Sequence, residues 1–519
     1  MSAPGAAARR LIANSRWNFA AFVVALLANL VSLPLAITAI GLDAFGSAGL
    51  VLAVFAPFTL VGTVLGQGLV RGLSVRAAAQ ASAAPVGRQP AAPADEGARV
   101  LWTTLALGLL GCAFVVALAA LGGNALLHHL SGGAPRAGSW HAALWLGCAG
   151  WALQQGGLIL QSALAALQAY RSLGIANALG SVTSALAVVA CSRGLGNELG
   201  FLAGSTLGFA ALLGLALVAL WVEDRALLRP SRPATAAARP LLAFARWQGL
   251  SHLAGGAANQ FDRYVLGAVA PLSVLGQYNV AMRLQEVVHM GLLKLTEVLF
   301  PHFSITAAQD LQQRARFYLR AGWFVNLVNV AALGALIPMA ASLITLWVGR
   351  EAATGGTTML HTLATAGVIG SGINIFSFFA LATDQAQKLA WINLAHALLL
   401  MLLTVPLILW LGPIAAGLAY VAGNLLRLGA ASVVTLRAFA GALTAPQLLG
   451  TTLLPLAGGL AAAWLLHAAG FAQVQTWPGL LLAYAGCAAL IGLAALAVSA
   501  ASASGRALLS GLHHATGRR

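Results

Sequence analysis

The feature that leaves this chain the fewest choices is a succession of long apolar runs joined by short basic connections. The first, WNFAAFVVALLANLVSLPLAITAI from Trp17 to Ile40, carries no charged side chain. A hydrocarbon core of ~30 Å is crossed by about 20 such residues in a helix. Comparable runs follow near 45–70, 100–122, 140–166, 172–192, 198–222, 244–269, 277–301, 317–347, 357–382, 388–410, 413–436, 446–469 and 477–501. The runs are continuous, without the period-two alternation of a barrel strand. The reading is therefore an all-α integral membrane protein with about fourteen transmembrane helices. The run 317–347 exceeds one span, and Pro338 is the residue expected to kink it.

Composition closes the soluble alternative. Charged residues make up 8% of the chain against about 25% in soluble domains, and the mean hydropathy is +0.86. A net charge of +16 would suggest nucleic acid in a soluble protein, but here the basic residues lie between apolar runs, so no nucleic-acid partner is expected. Cys112, Cys148, Cys191 and Cys487 fall in or beside apolar runs and read as packing residues. No metal-ligand spacing is present, and His128-His129 and His513-His514 lie in loop or tail. The opening MSAPGAAARR lacks the short core and cleavage site of a signal peptide, so the first span is expected to be retained.

Orientation follows from sorting the 28 Lys and Arg residues. With an even number of spans, 21 fall on one side, three (Arg136, Arg193, Arg350) on the other, and four (Arg263, Arg283, Lys294, Arg427) inside spans. Positive residues are retained on the cytoplasmic side, which predicts cytoplasmic termini. Residues 71–99, rich in Ala, Pro and Gln, read as a disordered cytoplasmic loop. The Pro/Arg-rich stretch 223–243 reads as a linker. The expected organisation is a six-helix bundle over 1–222, a second over 244–437, and two extra helices with a basic tail over 438–519. The longest external loop, 123–139, has about 17 residues and no carboxylate.

Displacing the sequence by 230 residues lays the first two spans on the seventh and eighth. Arg16-Trp17 falls on Arg246-Trp247, Asn29 on Asn259 and Gly46 on Gly276. Paired rare residues and equal hairpin lengths point to an internal repeat, a common plan in secondary transporters. Arg16 and Arg246 read as interfacial anchors beside their tryptophans. Gly66, Gly68, Gly255 and Gly256 suit close helix packing.

Intramembrane charge is concentrated. A charge at a helix centre costs ~2.5–3.5 kcal/mol on insertion scales and faces a cavity or a partner. The seventh run carries His252, Asn259, Gln260, Asp262 and Arg263; the eighth carries Arg283, Gln285, Glu286, His289, Lys294 and Glu297. Positions 283, 286, 290, 294 and 297 share one helical face, with His289 at its edge. An antiparallel pairing of the two runs would bring Asp262 or Arg263 level with Arg283 and Glu286. Two readings stand. The side chains form structural pairs at i,i+3, Arg283 with Glu286 and Lys294 with Glu297. Alternatively they line a hydrated cavity for an anionic substrate. In the second, Arg263, Arg283 and Lys294, with Asn259, Gln260 and Arg71, contact substrate, while Asp262, Glu286, His289 and Glu297 balance charge or carry protons. Arg427 lies deep in the twelfth run and can snorkel.

The segment from Phe244 to Ser304 resembles the second-half opening of oligosaccharide flippases. It has Asp262-Arg263 late in one helix, Gly276-Gln277-Tyr278 at a short hairpin, then Arg283 and a closing Phe300-Pro301. GLVRGLS at 68–74 is similar to that family's first hairpin. The resemblance implies the multidrug/oligosaccharidyl-lipid/polysaccharide exporter superfamily, with two six-helix bundles around a central cavity, alternating access and no cofactor. It implies translocation of polyprenyl-diphosphate-linked oligosaccharide across a bacterial inner membrane for O-antigen, capsule or exopolysaccharide assembly. Expected partners are membrane lipid, a glycan polymerase and a chain-length regulator. Competing readings are a multidrug or cation antiporter, a peptidoglycan-precursor flippase, and a membrane glycan polymerase or ligase. The last needs a larger external loop than 123–139. A Gly-x-x-x-x-Gly-Lys-Ser/Thr phosphate loop is absent, which argues against ATP-driven transport by this chain alone.

Overall fold

A computed structural model describes residues 3–83, 94–132, 137–297, 310–383, 385–470 and 474–516. Secondary structure in these residues is helical, with no strand. Ten helices among them are long and apolar enough to cross a membrane. The chain forms two compact units, Met1–Ser273 and Val274–Arg519.

In the first unit α1 (Ala3–Phe55) holds two helices in one run, separated at Gly41, whose φ of 80° ends the first helix. That φ suits a residue without Cβ. The offset of 230 pairs Gly41 with Pro271, where the chain again breaks between helices. A short 3-10 turn leads to α2 (Leu60–Ala83). Helix α3 (Ala94–Leu118) continues through a π-helical turn, Ala119–Gly123, into α4 (Asn124–Leu130). Three further helices follow: α5 (Ala137–Ala166), α6 (Tyr170–Leu195) and α7 (Glu198–Glu223). Small residues let α6 and α7 approach closely: a Cβ on Gly204 would stand 2.4 Å from the Val188 Cα, and one on Gly208 2.8 Å from the Ser184 Cα. Helix α8 (Thr235–Val269) completes the unit.

Two connections are shorter than the sequence suggests. Apolar residues carry helix to Leu130, with Leu127 fully buried, so the loop read at 123–139 begins later. Helix also covers 71–83 and 94–99 of the stretch read as disordered, while 84–93 lie outside the described residues. The division between units falls beyond the 223–243 linker because α8 packs with the first unit. The Tyr264 hydroxyl donates to the Ala53 carbonyl at 2.7 Å. The Ala234 N–H donates to Thr103 Oγ1 at 3.1 Å.

The second unit contains α9 (Leu272–Glu297, beginning at the boundary), α10 (Leu311–Trp347), α11 (Arg350–Ser371) and α12 (Asn374–Ala382). It continues with α13 (Ala386–Leu411), α14 (Ala415–Ala438) and α15 (Ala445–Leu448), which joins α16 (Leu454–Ala468) through a π-helical turn. Helices α17 (Trp477–Ala500) and α18 (Ala503–Thr516) end the chain. Helix α10 is the centre of this unit: Leu333, Ala335, Ile337, Met339 and Ala340 are buried, and helix continues through Pro338. Its Trp323 Nε1 donates to Ser499 Oγ at 2.8 Å, and that hydroxyl donates to the Gly450 carbonyl at 2.9 Å. Rows of exposed leucines on the peripheral helices, such as Leu398, Leu402 and Leu409 on α13, suit a hydrocarbon surround.

Candidate functional site

On α8 the four-residue spacing of Ala258, Asp262 and Leu266 puts all three on the packed side, where each is almost or fully buried. The Asp262 carboxylate accepts the Arg263 backbone N–H at 2.8 Å. The Arg263 guanidinium donates to Gln260 Oε1 one turn back. Asn259 is exposed, and Arg263 and Gln260 are half-buried. Thus α8 separates its polar residues: the acid lies in the packing of the first unit, and the amides and guanidinium lie beside it.

Helix α9 sets three members of the expected stripe, Arg283, Glu286 and Met290, on one side. Tyr278, Val280, Ala281, Leu284 and Leu292 are buried around most of its circumference, leaving Arg283, Glu286 and Met290 on the open side. Arg283 and Glu286 form an ion pair at 3.5 Å, with about two fifths of each side chain exposed. His289 and Lys294 are half-buried next to this row. Gln277 Nε2 anchors the start of α9 to α11 by donating to the Glu351 carbonyl at 3.1 Å and Thr354 Oγ1 at 3.2 Å. Glu297 is the last residue of α9; its side chain, and Phe300-Pro301, lie outside the described residues. Arg71 is exposed within α2, which continues to Ala83, so it does not close that helix.

A second group of polar side chains joins α9 from α13 and α14. Arg427 Nη2 donates to Asn393 Oδ1 at 3.0 Å. His396, one turn beyond Asn393, lies against Gly423, one turn before Arg427. The charge of Arg427 acts on both His396 and His289, and Glu286 acts on His289 as well. Asn393, His396 and Arg427 are therefore gathered by α13 and α14, and the charge of Arg427 reaches His289 on α9. In the sequence, Asn393 and His396 are isolated polar residues in a separate apolar run. Their only legible signal is the three-residue spacing that places both on one face. Among the described residues no group of three His, Cys, Asp or Glu side chains is placed to hold a metal.

This fold, with charge and amides set into apolar helices, is that of multi-pass membrane transporters. The solved structure of lipid II flippase MurJ, in an inward closed conformation, matches with TM-score 0.70 and 13% identity, covering 94% of this chain and 98% of that one. An inward-facing multidrug resistance MATE family transporter of the MOP superfamily matches with TM-score 0.64 and 16% identity, over 80% and 93%. A MOP superfamily transporter from Pyrococcus furiosus matches with TM-score 0.58 and 16% identity, over 83% and 94%. No curated protein matches the sequence. Residues 11–306 match the family described as Polysaccharide biosynthesis protein, and the chain belongs to that family.

Proposed function

We propose that the protein is a flippase that carries a polyprenyl-diphosphate-linked oligosaccharide from the cytoplasmic to the external leaflet of a bacterial inner membrane. The observation that carries this reading is the polar row of α9, half exposed on an otherwise buried helix and joined by Arg427. A diphosphate with attached sugars needs fixed positive charge and hydrogen-bond donors in a wet environment, while a polyprenyl chain can stay in lipid. Family membership supports a role in polysaccharide assembly. Ten described helices long and apolar enough to cross a membrane support a multi-pass protein, and the sorting of Lys and Arg between the connections is what favours fourteen spans with cytoplasmic termini. Solved transporters of this fold are described in inward-facing and outward-facing conformations, which suits alternating access. In this reading Arg263, Arg283, Lys294, Arg71, Asn259 and Gln260 meet substrate, and Asp262, Glu286, His289 and Glu297 balance charge. A glycan polymerase and a chain-length regulator would act on the product.

The test is leaflet accessibility of lipid-linked oligosaccharide in vesicles containing the purified protein. Protein-dependent exposure of the glycan supports the reading; none with several donors from O-antigen, capsule and exopolysaccharide assembly rejects it. A second reading, a peptidoglycan-precursor flippase, is favoured by the near-complete mutual coverage with the lipid II flippase. Lipid II as donor in the same vesicles separates the two.

A further inference from the structure

Arg427 lies in the middle of α14, twelve residues after Ala415 and eleven before Ala438, so its Cα is about 17–18 Å from either end at ~1.5 Å per residue. Snorkelling to a headgroup from that depth is beyond the reach of its side chain. It also points the wrong way for lipid. Arg427 shares a face with Gly423 and Ala431, four residues to either side and both buried, whereas Leu418 and Leu425 mark an exposed row on another side of the helix.

Among the described residues Arg427 forms no ion pair with a carboxylate. The hydrogen bond it makes runs to the neutral amide oxygen of Asn393. The other groups its charge reaches are His289 and His396, which supply no negative charge. The Arg427 Nε is buried and has no hydrogen-bond partner among the described residues, and the same holds for His289 Nδ1 and His396 Nε2. Glu286, whose charge also reaches His289, forms an ion pair with Arg283. Three nitrogens on three helices thus stand with hydrogen-bonding capacity in hand.

Asn393 gives this group an exposed member. The exposed row of α13 is Trp391, Leu398, Leu402 and Leu409. Asn393 lies two residues from Trp391, about 200° round the helix at 3.6 residues per turn, on the side where Leu389, His396 and Leu400 are buried. It is nevertheless exposed. Solvent therefore reaches a polar residue on the packed side of α13, hydrogen-bonded to Arg427.

We propose that Arg427, His396 and His289, with Asn393 orienting the guanidinium, form a binding site for a phosphate or diphosphate group at mid-membrane depth in the second unit. The site rests on the flippase reading, in which the group belongs to the lipid-linked donor, and adds α13 and α14 to the surface that holds it. A guanidinium with free N–H groups takes phosphate oxygens in paired hydrogen bonds, which an ammonium cannot reproduce.

The experiment measures binding of polyprenyl diphosphate and of inorganic pyrophosphate to the purified full-length protein, together with vesicle translocation of a lipid-linked oligosaccharide. Expected results are binding of the lipid by the unaltered protein, at least tenfold weaker binding by Arg427→Ala, and partial retention by Arg427→Lys. Pyrophosphate binding lost in parallel assigns the site to the phosphates themselves; pyrophosphate binding unchanged while lipid binding falls overturns it. Should Arg427→Ala fail to run as a single species in size exclusion, Arg427→Lys and Asn393→Leu carry the comparison. Equal lipid affinity in the altered and unaltered proteins, with translocation intact, removes this site and leaves the flippase reading. Failure of the unaltered protein to bind or translocate any donor removes both.

Discussion

The imidazole of His396 lies against Gly423: a methyl group on that glycine would stand 2.7 Å from the ring Cδ2 and 2.9 Å from Nε2. The glycine sets how close α13 and α14 come, and with it the meeting of Asn393 and Arg427. Gly423→Val must push the ring aside, and overpacking of this kind costs typically ~1–3 kcal/mol. The expected outcome is a lowered thermal midpoint of the purified protein and weaker polyprenyl diphosphate binding. Gly429 has open space around it, so Gly429→Ala is the control and should leave both near their starting values.

Gln155 is buried on α5 and accepts the Gly62 N–H at 2.9 Å. That N–H lies in the first turn of α2, where the 3-10 turn Ala56–Thr59 passes into α-helix. Gln155→Leu leaves the donor buried and unmet, at a cost of ~1–3 kcal/mol. Thermal unfolding should show a clear loss for Gln155→Leu. An unchanged midpoint would mean the bond contributes nothing.

The Arg283–Glu286 pair is about two fifths exposed, so its direct worth to stability is under ~1 kcal/mol. Arg283→Ala should therefore leave the thermal midpoint nearly unchanged while lowering translocation at least tenfold, or ~1.4 kcal/mol in the barrier. Arg263→Ala should also impair translocation without loss of expression. If both variants translocate at the unaltered rate, the roles given to α8 and α9 fall.

The orientation is tested by labelling. With Cys112, Cys148, Cys191 and Cys487 replaced by serine, single cysteines at Ala234 and Thr476 should differ in sealed cells. Thr476→Cys should react with an impermeant maleimide, and Ala234→Cys only after permeabilisation. The reverse pattern would invert the topology.

What the sequence determined by itself was whatever depends on neighbours along the chain. Hydropathy and length place the apolar helices, from Trp17–Ile40 onward, because a bilayer imposes both on each segment separately. Helical period alone put Arg283, Glu286 and Met290 on one side of α9, which is the side left open. Local apolarity was less informative at segment ends: Asn124–Leu130 and residues 71–83 continue as helix past the boundaries read from composition. The tertiary structure decided everything that requires a rotation and an approach between helices. It placed Asp262 in the packing of the first unit, joined α8 to that unit through Tyr264 and Ala53, and brought Asn393 and His396 to Arg427. None of these pairings has a signature in hydropathy or period. Each depends on which small residue, Gly423 among them, lets two backbones come close enough for distant side chains to meet.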